Sequence, residues 1–376
     1  MKDQSPERKT LNILHIDTGL ELRGGQRQLL YLATALEARG HRQTIATPEE
    51  SPLELHCRKQ GLRTFLLPCH DPAHLFGAVL LRQQVREGAF DIIHAHDGHG
   101  HSLGLMVSVG IAVRRVATRR VLFRPRKRWT TRLKYERGSD AVIAVSQAVG
   151  EVAVRSGISP QKVRVIFDGV EIPRRVPDDA SRRALRKGWG IGENEFAVGH
   201  VGYFSAEKGQ WVAARAARLV KQRLPQVRFL LAGEGPPGSE AELLDESGGG
   251  GANLRLVRRV EDLGEFLPAL DLFIMPSVSE GLGSSVLHAM AHGLPVVASR
   301  VGGLPEAVVH EQTGWLVEPN SPEKLATAIG VAVRDRERLA VMGREGRRRA
   351  ESLFGCEAMV RKTESLYHEL VGGPEE

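Results

Sequence analysis

Short apolar runs rich in β-branched residues alternate with longer segments of helical periodicity along the whole chain. The pattern predicts a strand at 11–17 and then a helix at 26–39, whose leucines and alanines recur at three- and four-residue spacing. Gly40, directly after that helix, is typical of a C-terminal cap. Strands that are separated by helices in this way indicate parallel sheets covered by helices on both faces.

The predicted strands fall into two series on either side of 170–179, where two prolines among charged residues are typical of a linker. The first series is predicted at 11–17, 44–47, 64–67, 91–96, 116–119, 141–145 and 163–167. The second is predicted at 197–202, 227–232, 254–257, 272–275, 295–298 and 315–317. The two series predict two doubly wound, Rossmann-like α/β domains that face each other across a cleft.

This division predicts an N-terminal domain at 1–172 and a C-terminal domain at 173–355. The remaining residues, 356–376, are expected to form an amphipathic helix, because apolar side chains recur along one stripe. The stripe consists of Met359, Val360, Thr363, Leu366, Tyr367, Leu370 and Val371. A helix with such a stripe must bury it against another element of the protein.

The chain length bears on the number of domains, and the net charge bears on the binding partners. A chain of 376 residues is too long for one ordinary core, which agrees with two domains. The net charge of +7 indicates anionic partners: a nucleotide, a phosphorylated acceptor, a membrane surface or nucleic acid. The chain shows no secretory signal pattern and no apolar run long enough to span a bilayer, and its three cysteines form no CxxC pair. We therefore expect a cytoplasmic protein.

Two loops that follow predicted strands have the composition of anion-binding turns. Gly24-Gly25 opens the first helix, where backbone N–H groups can approach an anion, although a tight turn would need the same glycines. Lys208, in the loop at 202–209, would lie at a helix N-terminus that favours a diphosphate, although an exposed turn lysine gives the same pattern.

The loop at 276–285 carries the strongest chemical pattern in the chain. It follows an apolar strand and leads into a helix predicted to begin near Ser284. Glu280 is placed to accept hydrogen bonds from sugar hydroxyls, and the N–H groups of Gly283 and Ser284 can face a phosphate or a developing negative charge. The alternative is a capping loop with an exposed glutamate.

Four histidines and an aspartate lie within residues 94–101. His94 and His96 share one face of a predicted strand and could chelate zinc together with Asp97 or His99, which leaves a metallohydrolase open as an alternative. The chain contains no Asp-x-Asp, the carboxylate pair common in enzymes that bind nucleotide sugars through a divalent metal. For a nucleotide-sugar enzyme we therefore expect neither a metal nor any other cofactor.

Together these segments resemble glycosyltransferase family 4, a group with the GT-B fold, over nearly the whole chain. In the first domain the matching segments are Gly24-Gly25, Arg39-Gly40-His41, Asp91-Ile92-Ile93-His94-Ala95-His96 and Ala144-Val145-Ser146. In the second they are Glu207-Lys208-Gly209, Pro276-Ser277, Ser279-Glu280-Gly281-Leu282-Gly283 and Gly302-Gly303-Leu304-Pro305-Glu306. Each segment is short, and it is their order and spacing that make the resemblance specific.

The resemblance implies a retaining transfer from a nucleoside-diphosphate sugar to a hydroxyl of a glycan or lipid-linked acceptor, without a protein nucleophile. It implies that Lys208 contacts the diphosphate, that Glu280 contacts the hydroxyls of the sugar, and that His99 lies near the transferred sugar. It also implies that the final helix packs back on the N-terminal domain. The expected donor-binding residues are Gly24, Gly25, Lys208, Glu280, Gly281, Leu282, Gly283, Ser284 and His288.

Three positions depart from the pattern of the family. Tyr203 occupies a position where arginine is usual, His288 one where a ribose-binding acid is common, and Arg258 one where glycine is common near the nucleobase. A histidine can still hydrogen-bond to hydroxyls, although with a different polarity. These departures leave the donor open and keep a non-catalytic homologue that binds nucleotide sugars as a second alternative.

Residues 114–137 contain eleven basic side chains and a single acidic one. Arg126-Lys127-Arg128, with Trp129 and Leu133 on one helical face, predicts contact with an anionic acceptor or an anionic membrane surface, although a solvated charged face has the same composition. Few aromatic residues are interleaved and no nucleic-acid motif occurs, so nucleic acid is not an expected partner. The expectation is peripheral attachment at the cytoplasmic face of the membrane, in the synthesis of a cell-envelope polysaccharide or lipopolysaccharide.

Overall fold

The protein, studied as a computed structural model, is described at residues 9–68, 75–122, 129, 132–249, 253–258, 260 and 262–372. The chain divides into two compact units. The first comprises 1–169 together with 356–376, and the second comprises 170–355. The division between them therefore lies at 169/170, where the sequence predicted 172/173.

The first unit alternates strands and helices from its first described strand onward. Its elements before residue 170 are β1 (Asn12–Ile16), α1 (Gly24–Ala38), β2 (Arg42–Pro48), α2 (Pro52–Lys59), β3 (Arg63–Leu67), α3 (Leu75–Glu87), β4 (Ile92–Ala95), α4 (Gly98–Ser108), β5 (Arg114–Arg119), β6 (Ala141–Ala144), α5 (Gln147–Arg155) and β7 (Val163–Val165). A π-helical turn at Arg132–Arg137 precedes β6.

These strands form one parallel sheet in the order β3-β2-β1-β4-β5-β6-β7. Ile13 of β1 pairs with Gln43 of β2 on one side and with Ile92 of β4 on the other. The strand order reverses at β1, so the carboxyl ends of β1 and β4 flank the position at which doubly wound sheets bind their ligands.

The second unit repeats this plan. Its elements are α6 (Asp179–Gly188), β8 (Phe196–Val201), α7 (Gln210–Lys221), β9 (Val227–Ala232), α8 (Ser239–Glu246), β10 (Leu254–Val257), α9 (Leu263–Phe266), β11 (Leu272–Met275), α10 (Ser284–Ala291), β12 (Val296–Ser299), α11 (Leu304–Ala307), β13 (Gly314–Val317), α12 (Pro322–Arg334) and α13 (Arg336–Leu353). Six parallel strands run in the order β10-β9-β8-β11-β12-β13. Here the order reverses between β8 and β11, and these strands pair directly.

The final helix, α14 (Cys356–Gly372), belongs to the first unit although it follows the second in the chain. Its Val360 and Tyr367 are fully buried in one cluster with Leu36 of α1 and Ile13 of β1. Glu364, on the same helix, accepts a hydrogen bond from His41 and forms an ion pair with Arg39. The predicted return of this helix to the N-terminal domain is confirmed.

The strands predicted from apolar runs are all present within the described residues, each within two residues of its predicted ends. This agreement has a physical cause, because strands buried on both faces must be apolar throughout. Leu272–Met275, for example, is buried at every position. Among the described residues no helix combines the length and the apolar character that crossing a bilayer requires.

Candidate functional site

Two loops meet at the carboxyl edge of the second sheet. The loop at 202–209 leads from β8 to α7, and the loop at 276–283 leads from β11 to α10. Because β8 and β11 are neighbours in a parallel sheet, both loops leave it at the same edge. The fold therefore places residues that are 72 positions apart in the chain side by side.

The two loops are joined through their backbones. The N–H of Val278 donates to the carbonyl of Glu207 at 2.8 Å. Gly209 has a φ of +72°, and a Cβ atom built on it would lie 2.0 Å from the carbonyl oxygen of Pro276. Only glycine fits this position, because both the backbone conformation and the contact exclude a side chain.

Lys208 and Glu280, both singled out by the sequence, form an ion pair across these loops. Lys208 Nζ lies 2.6 Å from Glu280 Oε2, and their side chains are 30% and 11% exposed. The Ser277 hydroxyl lies 3.4 Å from the same carboxylate oxygen. The structure thus brings the predicted cation and the predicted hydroxyl acceptor into direct contact.

The helix that follows Glu280 begins at Ser284, as the sequence predicted. Its N-cap is Gly283, and a Cβ atom built on this residue would lie 3.5 Å from the Glu280 side chain, so the N-terminus of α10 lies beside the ion pair. The first N–H groups of a helix have no partner within it and point out of its end. Such a helix end favours a negatively charged group. Gly281 and Leu282 are buried, and His288 lies about one turn further along α10.

A buried polar chain supports the loop that carries Lys208. The Nδ1 atom of His200 donates to the carbonyl of Ile274 at 3.0 Å, so its Nε2 accepts from the Gln210 amide at 3.0 Å. The same amide donates to the carbonyl of Tyr203 at 2.9 Å, and the Gln210 carbonyl accepts from the N–H of Ser205 at 3.3 Å. Burial lowers the pKa of His200 to about 4, which keeps its ring neutral.

In the first unit, Gly24 and Gly25 form the start of α1, as predicted. A Cβ atom on Gly25 would lie 3.7 Å from the Arg120 side chain, so this guanidinium stands beside the helix N-terminus. Arg120 pairs with buried Asp168 at 3.2 Å and also donates to the carbonyl of His96. A helix end and a guanidinium together make this edge of the sheet suitable for an anion.

Asp17, directly after β1, is a buried carboxylate that sequence analysis did not select. Its Oδ1 accepts from the N–H of Gly19 at 2.9 Å and from the Gln26 amide at 2.8 Å, whereas its Oδ2 is buried and has no hydrogen-bond partner among the described residues. Burial raises the pKa of Asp17, and the nearby Asp97 carboxylate raises it further. A carboxylate at this edge can accept a hydrogen bond from a ligand hydroxyl.

Asp97 is the N-cap of α4, and it does not belong to the histidine cluster found among the described residues. Its Oδ1 accepts from the N–H groups of His99 and Gly100 at 2.8 and 2.9 Å, and both of its oxygens bind Thr18. The His99 side chain is exposed at the first turn of α4. His99 therefore lies at the carboxyl edge of the first sheet.

The fold does not bring together His94, His96 and His99, the set considered for the alternative metallohydrolase. His15 of β1, not His99, joins the other two, and the ring nitrogens of these three lie within 4.8 Å of one another. Five of their six nitrogens are already hydrogen-bonded. The contacts are His15 with His96 at 2.9 Å, His15 with Gln43 at 2.8 Å, His94 with Tyr367 at 2.5 Å, and His94 with Thr118 at 2.7 Å. Burial lowers the pKa of each ring, so the cluster forms a neutral network.

The basic segment 114–137 is not a single helix. Its first six residues form β5, and Arg132–Arg137 forms the separate π-helical turn. Trp129 and Leu133 are 67% and 53% exposed. Arg126, Lys127 and Arg128 lie outside the described residues.

The residues missed by sequence analysis share one signal. Each is a polar residue in or next to an apolar strand or a helix start, and a polar group buried there needs a hydrogen-bond partner. These residues are His15, Asp17, His200 and Gln210. The sequence shows the polar residue but not its partner. Arg120 was noticed only as part of the basic segment, although it binds Asp168 within the first unit.

Two family models together match most of the chain. Residues 22–174 match the model described as Glycosyltransferase Family 4. Residues 181–349 match the model described as Glycosyl transferases group 1. The two matches fall on the two structural units in turn.

Curated relatives agree with these models. The sulfoquinovosyl transferase SQD2 of Arabidopsis thaliana is 28% identical over 332 residues, covering 82% of this chain. The chain spans 63% of the length of that relative. The D-inositol 3-phosphate glycosyltransferase of Rhodococcus opacus (strain B4) is 30% identical over 303 residues, which is 74% of this chain and 67% of the relative.

Solved structures share the fold. Anabaena HepE in complex with UDP and glucose superposes with a TM-score of 0.85 at 22% identity, covering 95% of this chain and 99% of that one. A glycosyltransferase from Rickettsia africae gives a TM-score of 0.86 at 20% identity, covering 97% and 99%. These TM-scores over nearly the whole chain show that the protein has the two-domain GT-B fold.

Proposed function

We propose, on the premise that this chain belongs to glycosyltransferase family 4, that it transfers a sugar with retention from a nucleoside-diphosphate sugar to a hydroxyl of a glycan or lipid-linked acceptor. The observation that carries the proposal is the convergence of Lys208 and Glu280 at the ends of β8 and β11. A cation, a hydroxyl acceptor and the N-terminus of α10 lie together there, and a sugar diphosphate needs all three.

The proposed mechanism depends on where negative charge develops during the sugar transfer. In the transfer, the bond from the sugar to the diphosphate oxygen breaks and a bond to the acceptor oxygen forms. Negative charge then grows on the departing diphosphate, where Lys208 and the first N–H groups of α10 stabilise it. The departing phosphate takes the proton of the acceptor hydroxyl, so the reaction uses no protein nucleophile. The scheme assigns no step to a metal, because Lys208 and the N-terminus of α10 offset part of the negative charge on the diphosphate.

The donor to test first is a uridine diphosphate sugar. The structure of Anabaena HepE holds UDP and glucose, and that protein shares the fold of this chain. Tyr203, His288 and Arg258 differ from the usual family residues at positions that bear on the nucleotide. A thermal-shift panel of nucleoside diphosphates that includes UDP, GDP and ADP should therefore come before any assay of transfer.

The decisive experiment on donor binding uses Lys208→Ala. We expect this variant to lose about 2–4 kcal/mol of transition-state stabilisation, seen as a fall in kcat/KM for donor turnover. Lys221→Ala is the matched control, because it removes an exposed lysine from the other end of α7. Unchanged turnover in Lys208→Ala would remove this residue from the mechanism. Activity lost in EDTA and restored by a divalent metal would contradict the metal-free scheme.

His99 is proposed to act beside the transferred sugar. Its exposed ring at the start of α4 is free to meet a ligand, unlike the buried rings of His94 and His96. We expect His99→Ala to bind UDP as the wild type does and to lose turnover. A loss of UDP binding equal to the loss of turnover would argue for a purely structural role.

The protein is proposed to reach its acceptor at an anionic membrane surface, on the cytoplasmic face of the membrane. Exposed Trp129 and Leu133 border the basic run, and each basic residue near such a surface contributes about 1 kcal/mol. We expect co-sedimentation with anionic but not neutral vesicles, lost at high salt and after Arg126, Lys127 and Arg128 are replaced by alanine. Absence of binding at low salt would favour a soluble anionic acceptor.

A further inference from the structure

The ion pair between Lys208 and Glu280 joins two groups that have separate tasks in the proposed reaction. Lys208 Nζ and Glu280 Oε2 are 2.6 Å apart, close enough for a charge-assisted hydrogen bond. The Glu280 side chain is only 11% exposed, so water screens this contact weakly. In this arrangement the Glu280 carboxylate is bound to the Lys208 ammonium group, which a diphosphate would need as its own partner.

The backbones on either side of the pair are held in place. Val278 and Glu207 are hydrogen-bonded across the loops, and Gly209 packs directly on Pro276. On the other side, the N–H of Gly303 donates to the carbonyl of Glu280 at 3.2 Å. The pair can therefore separate by rotation of its two side chains, without movement of either loop.

From this geometry we infer that the Glu280 carboxylate competes with a bound diphosphate for Lys208. We infer that Glu280 thereby discriminates between the nucleotide sugar and the nucleoside diphosphate that remains after transfer. The inference rests on the proposed function, in which Lys208 binds the diphosphate. A diphosphate must take Lys208 away from Glu280 and then lie beside an uncompensated carboxylate, which opposes its binding.

A sugar attached to the diphosphate removes this penalty. Its hydroxyls donate to the released Glu280 carboxylate and replace the hydrogen bond that Lys208 had given. After transfer the sugar is gone, the carboxylate loses these donors, and it competes again for Lys208. Glu280 therefore holds the nucleotide sugar and promotes release of the nucleoside diphosphate.

The inference predicts that one substitution in the site strengthens ligand binding instead of weakening it. Glu280→Gln removes the competing charge but keeps the shape of the side chain. Inorganic pyrophosphate and UDP should bind about fivefold more tightly to this variant than to the wild type, the ratio that corresponds to about 1 kcal/mol. Turnover should fall at the same time, because the amide is a poorer acceptor for the sugar hydroxyls than a carboxylate.

Isothermal titration of the full chain with pyrophosphate and UDP at low salt is the test. Glu207→Gln is the matched control, since it removes an exposed negative charge next to Lys208 in the chain without touching the ion pair. This control should change either affinity by less than about twofold. Glu280→Asp, which keeps the charge but shortens the side chain, should gain less than Glu280→Gln, and it serves as the second variant if the amide fails to fold.

The outcomes separate this inference from the proposed function. If pyrophosphate binds to Glu280→Gln as weakly as to the wild type or more weakly, while Lys208→Ala weakens it, the inference is overturned and Lys208 remains a diphosphate ligand. An equal gain in Glu207→Gln also overturns it, because the effect would then be general electrostatics. If Lys208→Ala leaves both ligands unaffected, the proposed function fails as well.

Discussion

The phenol of Tyr367 lies 2.5 Å from Nδ1 of His94, so the last helix of the chain is hydrogen-bonded to the central strand β4 of the first sheet. Both side chains are buried, and the other nitrogen of His94 is bound to Thr118. The strand that carries His94 ends at Ala95, directly before the turn that leads to Asp97 and His99. The final helix therefore supports the strand that positions the proposed site of the first unit.

The Tyr367 contact gives the first prediction. Tyr367→Phe keeps the ring but leaves His94 Nδ1 buried without its partner, which should cost about 1–3 kcal/mol of unfolding free energy. Tyr367→Leu also removes packing and should lose more. Thermal unfolding measures both variants, and a melting temperature for Tyr367→Phe equal to that of the wild type would show that the hydrogen bond contributes nothing.

Acid should destabilise the first unit before its carboxylates titrate. Burial lowers the pKa of His15 to about 4 and that of His101 to about 3, whereas unfolded histidine titrates near 6.5. The stability that neutral His15 contributes is fully present above pH 6.5 and is lost as the pH falls toward about 4, on the order of 3 kcal/mol in all. The buried Asp17, whose pKa is raised, contributes in the opposite sense.

Chemical denaturation at pH 7.5 and pH 5 tests the role of these rings. His15→Gln should lower stability at pH 7.5 and flatten its decline toward pH 5, because the group that must take up a proton is gone. The control is His56→Gln, on the partly exposed helix α2. An equal decline in wild type and His15→Gln would contradict the prediction.

Gly209 gives a third prediction. In Gly209→Ala the new Cβ would lie 2.0 Å from the carbonyl of Pro276 at a φ of +72°, so the two loops must move apart. We expect a lower melting temperature and at least a tenfold loss of UDP affinity, since displaced loops separate Lys208 from α10. Gly188→Ala, where nothing lies within 4 Å of the added Cβ, should behave as the wild type. Normal UDP affinity in Gly209→Ala would show that the junction is not needed for binding.

Gln210 is expected to act as a positioning residue through Tyr203 and the loop beyond it. Gln210→Glu puts an acceptor against the Tyr203 carbonyl and the His200 Nε2 atom, and UDP affinity should fall about tenfold at pH 8. The new carboxylate raises the pKa of His200, whose imidazolium can then donate to it. The deficit should therefore be smaller at pH 6. Titrations at both pH values measure this, and a deficit that does not depend on pH would argue for simple loss of packing.

The sequence by itself determined the two-domain α/β plan, the strands within two residues, and the start of α10 at Ser284. These features depend on local chemistry. A strand buried on both faces must be apolar along its length, and a glycine-containing loop before a helix marks where the helix begins. Lys208 and Glu280 were also predicted as separate site residues, because each lies in such a loop.

Only the tertiary structure decided which side chains meet. Lys208 reaches Glu280 because β8 and β11 are neighbours in the sheet although two strands separate them in the chain. In the first sheet the strand order likewise makes β1 and β4 neighbours, so His15 lies beside His96 in a neutral network that the pattern at 94–101 did not indicate. The sequence shows that a polar residue lies in a segment that will be buried, and such a residue needs a hydrogen-bond partner. Which residue becomes that partner depends on the strand order, and local periodicity does not encode the strand order.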